Sequence, residues 1–91
     1  MKLRLVDERD DFLELEVTGE DESLLDSLSE YVRSVGGVLY AGRRIDHPLT
    51  GKISLMVKTE PRIVKARTAV SEALKRLHKD LDDMYTEVQQ L

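Results

Sequence analysis

In the stretch Phe12-Leu13-Glu14-Leu15-Glu16-Val17-Thr18 apolar and polar residues alternate from Leu13 onward. A period of two places Leu13, Leu15 and Val17 on one side of an extended chain and Glu14, Glu16 and Thr18 on the other, the pattern of a strand with one buried face. Residues 2–6 repeat it, with Leu3 and Leu5 opposite Lys2 and Arg4, and the all-polar Asp7-Glu8-Arg9-Asp10-Asp11 between the two runs is long enough to reverse the chain. The basic outer residues of the first run then face the acidic ones of the second, so the opening segment predicts a β-hairpin. Residues 38–45 and 52–59 read as two further strands, the latter with Ile53, Leu55 and Val57 inward against Lys52, Ser54, Met56 and Lys58 outward. Strands that each show one apolar face predict an antiparallel sheet with helices on one side and water on the other.

Between the strand pairs, Gly19 ends the hairpin and Asp21 or Ser23 is placed to cap a helix whose first turn carries Glu20 or Glu22 near the positive end of its dipole. At 100° per residue Leu24, Leu25, Leu28, Tyr31, Val32 and Val35 fall within an arc of roughly 120°, and Gly36-Gly37 supplies the stop. From Pro61 onward there is no Gly and no further Pro, which predicts one long helix over 63–91. Its apolar stripe is Ile63, Ala66, Val70, Ala73, Leu74, Leu77, Leu81, Met84, Tyr85, Val88 and Leu91. The fold class is α+β in the order ββαββα: a four-stranded antiparallel sheet, two helices on one face, the C-terminal one long, and residues 1–91 a single domain.

A helix over 63–91 would be about 43 Å long, whereas a compact domain of this length has a diameter of roughly 30 Å. Met84, Tyr85, Val88 and Leu91 would then stand beyond the sheet, and an apolar stripe that outruns its own core marks a protein interface. The competing expectation is that the tail bends back or frays. Charge on the helix also runs against the dipole, with Arg62, Lys65 and Arg67 in the opening turns and Asp80, Asp82 and Asp83 late; a partner helix of matching pattern could compensate for it.

Composition narrows the function. Fourteen Lys and Arg against eighteen Asp and Glu leave a net charge of -4, which disfavours direct binding of nucleic acid. With no Cys there is neither disulfide framework nor thiolate chemistry, and cytoplasm is the expected compartment. Lys2 follows Met1 and alternation begins at once, so neither a signal-peptide core nor a membrane span is predicted. His78 and Asp82 stand four residues apart, a spacing more often a surface ion pair than a metal site. Asp10-Asp11 and Asp82-Asp83 are sequence neighbours whose side chains diverge, so neither pair makes an acid/base dyad. Gly51-Lys52 lacks the earlier Gly of a phosphate loop, and Ser23, Ser27, Ser29 and Ser34 have no nearby His. No catalytic residue, metal or cofactor is expected.

The segment Ala41-Gly42-Arg43-Arg44-Ile45-Asp46-His47-Pro48-Leu49, followed by Ile53-Ser54-Leu55-Met56-Val57-Lys58-Thr59, resembles the central signature of the archaeal DNA-directed RNA polymerase subunit L family. Gly19-Glu20-Asp21 leading into a leucine-bearing helix resembles it too, and the likeness covers essentially the whole chain. Where the family usually has His-Thr-Leu-Gly-Asn after Gly-Glu-Asp, this chain has Glu22-Ser23-Leu24-Leu25-Asp26. The family is similar to the dimerisation part of the bacterial polymerase α subunit. The resemblance implies a non-catalytic chain that pairs with the larger RNA polymerase D subunit to form the platform for the catalytic subunits. It places Gly42, His47, Pro48 and Leu49 in the motif turn, with Gly42 expected at a strand bulge. Leu24, Leu28, Tyr31 and Val32 of the first helix and Leu77, Leu81, Met84, Tyr85, Val88 and Leu91 of the second are the expected partner interface. The alternative is a stand-alone homodimeric interaction module, such as the small dimerising subunit of the archaeal tRNA-threonylcarbamoylation complex; a homodimer in isolation is compatible with either.

Overall fold

The computed structural model describes residues 1–47 and 51–91. Its elements are β1 (Lys2–Arg9), β2 (Phe12–Thr18), α1 (Glu22–Arg33), β3 (Val38–His47), β4 (Lys52–Thr59) and α2 (Ala66–Gln89). The strands form one sheet in the order β1-β2-β4-β3, every neighbouring pair antiparallel. Central β2 and β4 pair without a register break from Phe12↔Lys58 to Thr18↔Lys52. Leu13, Val17, Ile53, Leu55 and Val57 are buried beneath the helices, as the alternation predicts.

The inner face meets Leu28, Val32 and Val35 at the α1 side and Ala66, Ala69, Val70 and Ala73 of α2. The three alanines let α2 approach the sheet closely at its N-terminal half. Asp21 caps α1, its Oδ1 accepting from the Ser23 amide at 2.9 Å, and this bond holds the Asp21 carboxyl below its usual value. The helix stops at Arg33, ahead of Gly36-Gly37. There the Ser34 hydroxyl donates to the Tyr31 carbonyl at 2.6 Å and takes the place of the next backbone bond. Val35 is buried from the turn that follows, not from the helix.

The start of α2 differs from the expected Pro61 position. Residues 61–63 form a separate turn in which the Ile63 and Val64 amides both donate to the Glu60 carbonyl, and the helix begins at Ala66. Lys65 offers no side-chain cap; instead the Ala66 amide donates to the backbone carbonyl of Asp10 at 2.9 Å, so the hairpin turn satisfies one of the orphan donors of the helix. Ile63 therefore lies off the α2 stripe, 68% exposed. The helix is 24 residues long, about 36 Å, on a molecule whose principal extents are 43 × 38 × 16 Å.

Two further differences concern the sheet. Its far face is not simply wetted: Ser54 is fully buried and Glu16 nearly so, beneath the Arg4 guanidinium, which donates to both Glu16 carboxylate oxygens at 3.0 and 3.2 Å. Long charged side chains lie across the small central residues and shield them. Gly42 is not at a bulge either. It pairs in register with Met56, and the irregularities of β3 fall between Val38 and Tyr40 and between Ile45 and His47. A Cβ on Gly42 would stand 2.7 Å from the Tyr40 hydroxyl, so its bare backbone makes room for the Tyr40 ring two residues earlier on the same face.

Candidate functional site

Edge strand β1 is exposed along its whole length, and Leu3 and Leu5 are 62% and 47% exposed although they pair with Val17 and Leu15 on the inner face. Neither helix covers them. A register shift between Leu5 and Asp7 then turns Glu8 to the helix side, where it accepts two hydrogen bonds from Arg67 at 2.6 and 2.7 Å. That pair ties β1 to the first turn of α2 and draws the Glu8 carboxyl below the usual range. The basic opening of α2, unfavourable for its dipole, thus has a partner in the hairpin.

Between β1, α1 and α2 this arrangement leaves a cleft of about 130 Å³ with an apolar lining. Leu3 and Leu24 form its rim, Leu25, Leu28 and Leu55 its floor, and Leu74 and Leu77 its α2 wall. Leu24 belongs to the α1 stripe yet is 38% exposed, since it points along the cleft and not onto the sheet. A shallower depression lined by Leu74, Leu77 and Leu81 continues from it along α2. Beyond that, Leu81, Met84, Tyr85 and Val88 are each more than half exposed, and every residue from His78 to Leu91 is exposed. The apolar surface therefore runs unbroken from the sheet edge through the cleft to the end of the helix, far more than scattered surface leucines account for.

Two polar links set the direction of the overhanging helix. The Tyr31 hydroxyl donates to Asp80 Oδ2 at 2.7 Å, and Arg76 reaches the Ser34 carbonyl and hydroxyl at 3.3 and 3.2 Å. The hydrogen bond to Asp80, with a smaller contribution from burial, raises the Tyr31 phenol above its ordinary value. On the other flank of α1, Arg43 from β3 pairs with Asp26 at 2.6 Å and Glu22 at 3.3 Å, while Arg33 donates to the Ala41 carbonyl at 2.8 Å. Glu22, where the chain departs from the subunit L pattern, and Asp26, roughly isosteric with the Asn of that pattern, are thereby used to hold α1 against β3.

Against the expected interface, Leu24, Leu81, Met84, Tyr85, Val88 and Leu91 are exposed, and Leu77 is half-buried at the cleft wall. Tyr31 is half-buried and engaged with Asp80. Val32, wholly buried, and Leu28, at the cleft floor, belong to the chain's own core; their assignment to a partner surface is corrected accordingly. Leu3, Leu5 and Leu74, like Ile63, are apolar residues that the sequence placed on inward faces and the structure leaves open. Of the motif turn, Gly42 and the backbone of His47 at the end of β3 are described; Pro48 and Leu49 lie outside the described residues. His78 Nε2 and Asp82 Oδ2 stand 3.3 Å apart on exposed helix surface. Among the described residues no group of three or more His, Cys, Asp or Glu could hold a metal ion, and no helix is long and apolar enough to cross a membrane.

A family model described as the RNA polymerase Rpb3/Rpb11 dimerisation domain matches residues 13–87, from β2 to the last turns of α2. The chain belongs to this dimerisation-domain family. Its curated relatives include the DNA-directed RNA polymerase subunit Rpo11 of Nanoarchaeum equitans, 31% identical over 80 residues that cover 88% of this chain and 82% of the relative. Rpo11 of Metallosphaera sedula is 32% identical over 74 residues, 81% of each chain. Among solved structures, DNA-directed RNA polymerase subunit L of Thermoplasma acidophilum superposes with a TM-score of 0.85 at 25% identity, covering 98% of this chain and 86% of that one. The family match reaches through Met84 and Tyr85, so most of the exposed turns of α2 lie within the matched region, while Val88 and Leu91 lie beyond it. The family description names a dimerisation domain.

Proposed function

We propose that this chain is a non-catalytic component of an archaeal DNA-directed RNA polymerase that heterodimerises with the polymerase D subunit, the pair forming the platform on which the catalytic subunits assemble in transcription. Residues 1–91 act as one dimerisation domain inside the cell. The observation that carries the reading is the continuous apolar surface from Leu3 through the cleft to Val88, in a chain of a polymerase dimerisation family. The proposed partner surface is Leu3, Leu24, Leu74 and Leu77 around the cleft and Leu81, Met84, Tyr85, Val88 and Leu91 along the overhang. Catalysis belongs to other subunits, and neither nucleic acid nor membrane is a direct ligand.

Co-expression with the polymerase D subunit tests this. A one-to-one complex that survives gel filtration and sedimentation at low micromolar concentration is expected. A chain that ignores the D subunit but forms a tight pair with itself would instead support the homodimeric module.

A further inference from the structure

The exposed face of α2 has a regular spacing. Leu74, Leu77, Leu81, Met84 and Val88 recur at alternating steps of three and four, the a and d positions of a heptad seam. All but the half-buried Leu77 are close to half exposed or more. Such a seam could accept a second copy of this chain running antiparallel, with Leu77 opposite Val88 and Leu81 opposite Met84.

The flanking charges decide against that occupant. Residues 80–91 carry Asp80, Asp82, Asp83 and Glu87 and no Lys or Arg. Asp82 lies beside His78 and Asp83 beside Lys79, on the side away from the seam. Asp80 and Glu87, seven residues apart, share the flank immediately preceding the a positions. In an antiparallel pair the same flank of both helices meets, so Asp80 of one copy would stand near Glu87 of the other, twice over by symmetry. Flanking positions of this kind set partner choice and orientation in helix pairs, and like charges there reject the wrong partner.

Building on the heterodimer reading above, we infer that the free end of α2 is matched to a helix of a different chain bearing an apolar seam and basic flanking side chains, and that Glu87 together with Asp80 disfavours pairing with a second copy. Glu87 is the residue to test. It is exposed on the last turns, it has no ion-pair partner among the described residues, and its replacement leaves the Tyr31–Asp80 link intact.

The experiment compares the full-length chain with Glu87→Lys and Glu87→Gln, using circular dichroism to check helix content. Self-association is read by sedimentation equilibrium, and affinity for the polymerase D subunit by calorimetry, at roughly 0.05 M and 0.5 M salt. At low salt Glu87→Lys should strengthen self-association about tenfold, since two repulsions become two attractions, and weaken binding to the D subunit about three- to tenfold. Glu87→Gln should fall between, and the differences should shrink at high salt. Either shift being absent or reversed in a folded variant would overturn the inference while leaving the heterodimer reading standing. If the unaltered chain does not bind the D subunit at all, that reading fails and the self-association arm alone decides the inference.

Discussion

Leu28 and Leu81 sit on the two helices at positions the sequence treats alike, and replacing each by Ala should separate folding from association. Leu28 is 9% exposed within the internal cluster, so Leu28→Ala removes buried methyl groups and leaves a void, at a cost of about 2 to 5 kcal/mol. For a domain this small each kcal/mol lowers the melting temperature by roughly 4 to 8 °C. Leu81 is 56% exposed, and Ala is as good a helix former as Leu. Leu81→Ala should therefore change the stability of the free chain by less than about 0.5 kcal/mol. Its effect belongs in binding: full burial of a Leu side chain contributes about 1.5 to 3 kcal/mol, so a partner covering the 56% still exposed gains about 0.8 to 1.7 kcal/mol from it. Affinity for the polymerase D subunit should fall by about 4- to 18-fold. Thermal unfolding of each variant alone, paired with calorimetric titration of the D subunit, measures both quantities. A Leu81→Ala chain that melts well below its parent but binds with unchanged affinity would falsify the separation, placing the distal half of α2 on its own core.

Truncation after Asp83 removes Met84, Tyr85, Val88 and Leu91, which are 55% to 103% exposed; the melting temperature should move by only a few degrees while affinity for the D subunit falls by an order of magnitude or more. Gly37→Ala should cost about 1 to 3 kcal/mol in denaturant unfolding, because Gly37 holds φ +95° and a Cβ there would stand 2.7 Å from the Ile63 side chain. Arg67 lowers the Glu8 pKa from its ordinary 4.5, so the folded state favours the charged carboxylate. That stabilisation is present above pH 4.5 and is lost as pH falls through the lower folded value. Acid titration of the melting temperature should accordingly be shallower in Arg67→Gln than in the parent chain, and identical curves would remove this pair from the acid response.

What the sequence makes legible here depends on how local the cause is. Strands β2 and β4 read correctly from alternation because each has a neighbour on both sides and a helix above, so period two and burial coincide in Leu13, Val17, Ile53, Leu55 and Val57. Leu3 and Leu5 carry the same alternation, yet they lie on an edge strand that neither helix covers, and the placement of a helix is not written in the strand it leaves bare. Leu24 shows the same limit on α1, where a 120° arc groups it with Leu25 although only Leu25 faces the core. The start of α2 shifts to Ala66 because a carbonyl of the hairpin turn captures its first amide, a tertiary contact that propensity cannot register. The start of α1 at Glu22–Asp26 reads as a departure from a family pattern until Arg43, distant in sequence, is placed beside both carboxylates.

The overhang of α2 is the feature that local stability explains least. Its last turn carries Glu87 at the negative end of the dipole with no base to offset it, and Asp80, Asp82 and Asp83 add to the acidic run in the turns before it. The Lys79–Asp83 pair has its base N-terminal to its acid, the weaker orientation for a helix. Among the described residues only Asp80 of these acids is tied to the body of the protein, through Tyr31, and that bond aims the helix outward without covering its apolar side. A segment selected to be stable by itself would carry its charges the other way round and bury or delete Leu81, Met84, Tyr85 and Val88. The sequence instead maintains a continuous seam, an acidic flank and a strut that directs both away from the sheet. The exposed seam and the acidic flank are unfavourable or neutral in the free chain, and under the heterodimer proposal both become favourable once an apolar, basic-flanked surface covers them.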